Sequence, residues 1–147
     1  MRVTVGRVGA PCPRGVRAER VSRGTPLGNP FKMGREGDRT AVCDAYSELV
    51  ALGASGPDRE ETLVNLGRKH GFHGAVVGWD GRAADARIDA LAAEVRGGKR
   101  LRLDCHCAPR RCHAQAVARE VTARASLPVG GEPDWSDGEM WAGLPEL

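Results

Sequence analysis

Three of the chain's five cysteines and two of its four histidines fall within "LDCHCAPRRCH", Leu103 to His113. Residue types at this density do one of three things. Cys105, Cys107, Cys112 and His113 could hold zinc, since four sulfur and imidazole ligands complete a tetrahedral shell. Against that, C-x-C is tighter than the usual C-x₂₋₄-C spacing, and neighbours on a helix point about 100° apart. A second chemistry is nucleophilic: a thiol such as Cys107 or Cys112 beside His113, which titrates near neutral pH and can move a proton. The third is packing, because unmodified cysteine behaves as a small buried hydrophobe. Cys105 follows Leu103 on one strand face and fits packing best. Cys112 and His113 are the catalytic candidates.

Arg110 and Arg111 lie beside the cluster, just ahead of an expected helix. A helix start offers unpaired N–H groups and partial positive charge, which suits a phosphate or carboxylate. A second stretch, "RGTPLGNPF" (Arg23 to Phe31), cannot be regular structure, since Pro26 and Pro30 lack backbone donors. Here Arg23 could pair a phosphate, Gly28 permits close backbone approach, and Asn29, held extended by Pro30, offers donors and an acceptor. The ligand-binding candidates are therefore Arg23, Gly28, Asn29, Pro30, Arg110 and Arg111. Phe31 reads as core. Neither a P-loop nor a G-x-G-x-x-G fingerprint occurs. His70 and His73 read as ordinary helix-end histidines, and Asp80 and Asp85 show no partner.

The elements that must position these residues can be read from periodicity. "RVTVGRV" alternates as a strand, and Val16 to Arg23 is a weaker second strand. A helix runs from Arg39, after Asp38, to Leu52, with Ala41, Val42, Ala45, Tyr46, Leu49 and Val50 on one face. "SGPDREETLVNLGRKHG" is a second helix, with a Ser55–Asp58 capping box, Pro57 in its first turn and a stop at Gly71. Residues 75–79 form a short strand or a loop. "AADARIDALAAEVRGG" is a helix closed by Gly97 and Gly98. "KRLRLDC" is a strand with Leu101, Leu103 and Cys105 on one side. A final helix starts at His113, with Ala114, Val117, Ala118 and Val121 apolar. Helices interleaved with short strands imply an α/β layered domain. The Cys/His turn then sits where a strand's carboxyl end meets a helix, the usual ligand crevice of open α/β sheets.

At 147 residues the chain suits one domain, with 41% hydrophobic and 28% charged residues. Net charge is +3, but Ala125 to Leu147 carries five acids and no base, leaving the remainder with 22 bases against 14 acids. A basic body favours an anionic partner, a nucleotide or other phosphate-bearing molecule, with nucleic acid as a further option. Six aromatics are too few for a base-stacking platform. No apolar run reaches the roughly 20 residues that cross a bilayer, and the start lacks a signal-peptide core. An odd, crowded cysteine set is unlike a secreted disulfide framework, so the cytoplasm is the expected compartment. Residues 125–147 form an acidic Gly/Pro extension in which Trp135 and Trp141 point to docking.

Taken together, the two motifs resemble those of the small bacterial and phage family known as domain of unknown function 4326. The matching positions are Arg23, Gly28, Asn29, Pro30 and Phe31, then Tyr46 on the following helix, then Cys105, Cys107, Pro109, Cys112 and His113. His106 stands where an aromatic such as Trp is common in that family. The resemblance spans about residues 2–124, with 54–82 as an insertion. It implies a small Rossmann-like domain with a short, mostly parallel sheet flanked by helices, and it implies no reaction. The functional expectation is binding of a nucleotide or nucleotide-like anion between the two motifs, with hydrolysis of a glycosidic or phosphate bond as the expected activity and no cofactor. The alternatives are a zinc-stabilised module binding nucleic acid or protein without catalysis, and a phage-type inhibitor or adaptor working through its tail.

Overall fold

The computed structural model describes residues 2–53, 60–107 and 110–126. Strands β1 (Val3–Arg7), β2 (Val16–Arg20) and β5 (Arg100–Cys105) form a parallel sheet in the order β1-β5-β2. Val3 pairs with Leu101 and Val5 with Leu103, while Arg17 and Glu19 flank the same two residues from β2. A second, antiparallel pair joins β3 (Phe31–Lys32) to β4 (Ala75–Val76). The helices are α1 (Arg39–Leu52), α2 (Glu60–Lys69), α3 (Gly81–Arg96) and α4 (His113–Ser126). This is the α/β layered domain expected from the sequence. No helix among the described residues is long and apolar enough to cross a membrane.

The central strand β5 explains much of the architecture. Its odd positions, Leu101, Leu103 and Cys105, are buried toward the helices. Its even positions, Arg102 and Asp104, are buried on the opposite face, so the strand is covered on both sides as parallel strands usually are. Among the described residues, what covers the second face is not a helix. β1 and β2 run parallel on either side of β5, so residues 8–15 must return across the sheet. Five strand residues rise about 17 Å, and eight extended residues reach about 26–29 Å, so the short crossover suffices. It presents bare carbonyls to β5, and Arg102 satisfies them: Nη1 donates to Pro11 O at 2.7 Å and Nη2 to Ala10 O at 2.9 Å. The same guanidinium grips Asp104 through Nε and Nη2 at 2.6 and 2.9 Å. Gly6 leaves room for it, since a Cβ there would lie 2.4 Å from Arg102 Cδ.

On the helix side, α1 packs on α2 and α4, and α3 on α4. The buried face of α1 comprises Val42, Cys43, Ala45, Tyr46, Leu49 and Val50, with Cys43 in place of the half-buried Ala41. A short 3₁₀ turn, Glu36–Asp38, leads into α1, and Asp38 makes no side-chain cap bond; it pairs with Arg35 instead. α3 is capped by Asp80, whose Oδ1 accepts from Ala83 N at 3.0 Å, and it ends at Gly97 and Gly98. Gly71, at φ 87°, terminates the turn after α2. The expected capping box at Ser55–Asp58, with Pro57, lies outside the described residues, as do residues 127–147 of the acidic extension.

The stretch read as an insertion is built into the core. Leu63, Leu66 and Phe72 are buried, and Phe72 meets Phe31 edge-on at 6.0 Å. Gly67 fits beneath that pair, where a Cβ would come within 3.2 Å of the Phe31 ring. β3 is thus fastened by β4 and α2, which steadies the chain on the far side of Asn29 and Pro30.

Candidate functional site

β5 ends at Cys105, and the chain turns tightly before α4 begins at His113. Arg110 N donates to Cys107 O at 2.9 Å, closing the turn. Cys112 stays outside the helix and caps it: Ala114 N donates to its Sγ at 3.5 Å and Gln115 N to its carbonyl at 3.1 Å. The divergence expected for two neighbours on one helix therefore does not arise. The sulfurs of Cys105, Cys107 and Cys112 all lie within 4.8 Å of one another. His113 Nδ1 is 3.5 Å from Cys112 Sγ and 3.8 Å from Cys105 Sγ.

The His113 ring is fixed from three sides. Its Nε2 lies 2.5 Å from Val21 O, just beyond β2, and a carbonyl can only accept. The proton therefore sits on Nε2, and the Nδ1 lone pair faces the sulfurs. Tyr46 packs edge-on against the ring at 5.1 Å. Burial pushes the His113 pKa below its ordinary value, so the ring is neutral. Hydrogen bonds from the Cys105 and Cys112 thiols, helped by Arg39, hold Cys107 well below the ordinary cysteine value. Hydrogen bonding to Cys105 and Cys107, together with burial, drives Cys112 the other way. Within the cluster, the anionic form is favoured at Cys107 over Cys112.

The first motif forms a compact turn. Thr25 N and Oγ1 both donate to Ser22 O, and Gly28 N donates to Thr25 O. A Cβ on Gly28 would sit 2.8 Å from Arg23 Cα, so glycine here lets the turn close on itself. Tyr46 Oη donates to Leu27 O at 2.5 Å. Tyr46, fully buried, thus touches both motifs: the carbonyl of one and the histidine of the other. Asn29 is 6% exposed, and its Oδ1 accepts from Phe31 N at 2.9 Å. A backbone N–H can only donate, which settles the amide's orientation. The two Asn29 N–H donors have no partner among the described residues and line the space between the motifs.

That space is a cleft of about 220 Å³. Arg23, Asn29, Arg111, Cys112 and His113 line it, so five of the eight candidate residues converge. Gly28, Pro30 and Arg110 do not. Pro30 is buried, with its carbonyl taken by Val77 N at 2.7 Å, and Arg110 is exposed near Glu36 at 3.7 Å. Phe31 also borders the cleft, but it is fully buried and belongs to the core. Among the described residues no carboxylate lines the cleft.

Arg39 and Cys43 of α1 line it too and were not singled out from the sequence. Arg39 donates to Glu36 at 2.7 and 2.8 Å and to Arg111 O at 2.9 Å, so it ties the start of α1 to the Cys/His turn. Its role depends on how α1 docks, and no local spacing announces that. Burial pushes the Cys43 thiol up to about 11. Arg111 donates to Asp44 through one Nη only. Arg23 has no hydrogen-bond or ion-pair partner among the described residues.

The family described as Domain of unknown function (DUF4326) matches residues 10–123, which include both turns and Tyr46. No curated protein and no solved structure matches the chain. The resemblance carried by the GNPF and Cys/His motifs thus holds over more than three quarters of the sequence, and the chain belongs to the Domain of unknown function (DUF4326) family.

Proposed function

We propose that the cleft between the two motifs binds a small phosphate-bearing molecule of the nucleotide class. One observation carries this: Arg23 and the Asn29 amide donors, without partners among the described residues, open on a cleft whose described lining holds three arginines and no carboxylate. The Asn29 amide donors open on the cleft, so an acceptor brought from outside would replace water there. Arg23 supplies the charge at the rim, and Arg111 adds its unused Nε and Nη1. The low-dielectric floor strengthens such contacts.

The proposal extends to hydrolysis of a glycosidic or phosphate bond in the bound molecule. For that step the half-buried Cys107 is better placed than Cys112, which is 3% exposed. His113 has one nitrogen on Val21 O and the other turned to sulfur, so its part is to hold the turn. The five free thiols among the described residues fit a reducing compartment, and we place the chain in the cytoplasm.

Titration calorimetry with a panel of mononucleotides, ribose 5-phosphate and inorganic phosphate tests binding. Saturable heat for phosphate-bearing compounds and none for uncharged nucleosides is the expected result. Silence across the panel from folded protein overturns the reading. Chromatography of the mixtures after incubation reads any bond cleavage directly.

A further inference from the structure

We propose that Cys105, Cys107, Cys112 and His113 form a tetrahedral zinc site that clamps the end of β5 to the start of α4. With Zn–S near 2.3 Å and Zn–N near 2.0–2.1 Å, a tetrahedral shell has S···S edges of about 3.8 Å and S···N edges of about 3.6 Å. His113 Nδ1 lies 3.5 Å from Cys112 Sγ and 3.8 Å from Cys105 Sγ. The three sulfurs fall within 4.8 Å of one another, and Cys107, on the turn, is the ligand that must move in to complete the shell around His113.

The surroundings are those a metal-ligating histidine needs. A metal takes a neutral imidazole through one nitrogen while the other donates to a fixed acceptor. Here the Nε2 proton is committed to Val21 O, and Nδ1 is turned to the sulfurs. Ala114 N already points at Cys112 Sγ, an N–H···S bond that a ligating thiolate accepts well. Three sulfurs and an imidazole are a soft, borderline donor set, suited to zinc and unsuited to magnesium or calcium.

The charge balances locally. The sulfurs bind as thiolates, their protons leave to solvent, and His113 enters neutral without losing a proton. Three negative sulfurs on a divalent ion leave a net charge of −1, which Arg39 and Arg111 border. With four protein ligands the shell is closed, so the metal is structural, and a ligating Cys107 does not serve as the nucleophile of the proposed hydrolysis. It would tie β5, the turn, α4 and, through Val21, the end of β2 into one unit.

This site does not rest on the phosphate reading: a zinc-bearing chain that binds no nucleotide keeps the one and loses the other. The test uses the full chain, purified without chelator, with zinc measured by plasma mass spectrometry. The reduced, metal-free chain is then titrated with cobalt(II). One zinc per chain is expected, and cobalt should give thiolate-to-metal charge transfer with the intense visible bands of a tetrahedral centre. Cys12→Ser and Cys43→Ser should keep the metal. Cys107→Ser, on a half-buried turn position, should weaken it by more than about tenfold.

Alkylation gives a second reading that needs no variant. Metal should protect Cys105, Cys107 and Cys112 while exposed Cys12 still reacts. A folded, reduced chain that takes up neither ion, or metal binding unchanged in Cys107→Ser, overturns the proposal. So does equal alkylation of the three cysteines with and without zinc.

Discussion

Two buried polar groups flank the central strand and are built on opposite principles. On one face of β5, Arg102 and Asp104 are 9% and 6% exposed, and the guanidinium's donors meet a carboxylate and two carbonyls. At its carboxyl end, Asn29 is equally buried, yet its two amide donors face open space beside an unpaired Arg23. Internal satisfaction marks a part that holds the fold. Donors held in place but left open to a cleft mark a part shaped for something outside it. The contrast predicts that damage to the first group shows in stability and damage to the second shows in binding.

The largest effect should come from Asp104→Ala. It leaves the Arg102 charge buried without its partner, and breaking such a pair costs about 3–5 kcal/mol. Against the roughly 5–15 kcal/mol that stabilise a domain, many molecules would unfold near physiological temperature. Denaturant titration should show the midpoint falling sharply with the slope unchanged. Arg102→Met should cost about as much, because it leaves the Asp104 carboxylate buried without its partner. If Arg102→Met proves the worse of the two, the crossover carbonyls at Ala10 and Pro11 matter more than the ion pair.

Next comes Asn29→Asp, which separates the two jobs of one side chain. The carboxylate keeps an oxygen for Phe31 N, so stability should change by no more than about 0.5 kcal/mol. It also replaces the two donors with a negative oxygen facing the cleft. Loss of a hydrogen bond to a charged group, about 1.5–3 kcal/mol, means nucleotide affinity falling by roughly 10- to 150-fold, read by calorimetry. Asn29→Ala should instead lose both affinity and about 1 kcal/mol of stability. Equal destabilisation by the two variants would show that the amide is a strut like Arg102.

Arg23→Ala should leave thermal stability alone, since the side chain is exposed and unpaired. Affinity for a phosphate compound should fall severalfold, and the residual binding should depend less on salt than the parent's. An unchanged salt dependence would move the charge contact to Arg111.

How much of this was legible in the sequence follows from how local each feature is. The bounds of α1, the stop at Gly97 and the apolar face of β5 are set by neighbours within a few residues. The two turns are also local, because proline, glycine and clustered cysteine leave few backbone choices. Arg102 and Asp104 read only as alternate residues of a strand, since the Pro11 and Ala10 carbonyls that Arg102 meets come from a crossover some 90 positions away. Arg39 was passed over for the same reason: its value lies in reaching the Arg111 carbonyl across a helix contact. The spacing argument against four ligands at Cys105 to His113 placed Cys112 on a helix, whereas Cys112 caps that helix from outside.

A third kind of charged group calibrates the contrast. At the β2 edge, Glu19 accepts from Arg87 at 2.6 and 2.8 Å and from Arg17 at 2.8 Å, while Arg17 also pairs with Glu94. Burial alone would raise the Glu19 pKa, but the Arg87 and Arg17 hydrogen bonds outweigh it and leave it lowered. A carboxylate depressed in the folded state contributes its full stability above its unfolded pKa and loses it as pH falls through the folded value. The loss should therefore appear only as pH drops below the ordinary carboxylate range. Because Arg17 and Arg87 are more than a third exposed, water and salt compete with the pairs, and the contribution should stay near or below about 1 kcal/mol. Glu19→Gln should flatten the acid limb of the stability curve slightly and leave the neutral-pH midpoint nearly in place. A loss as large as that of Asp104→Ala would mean that pairing of charges, rather than their isolation from water, sets the cost in this fold.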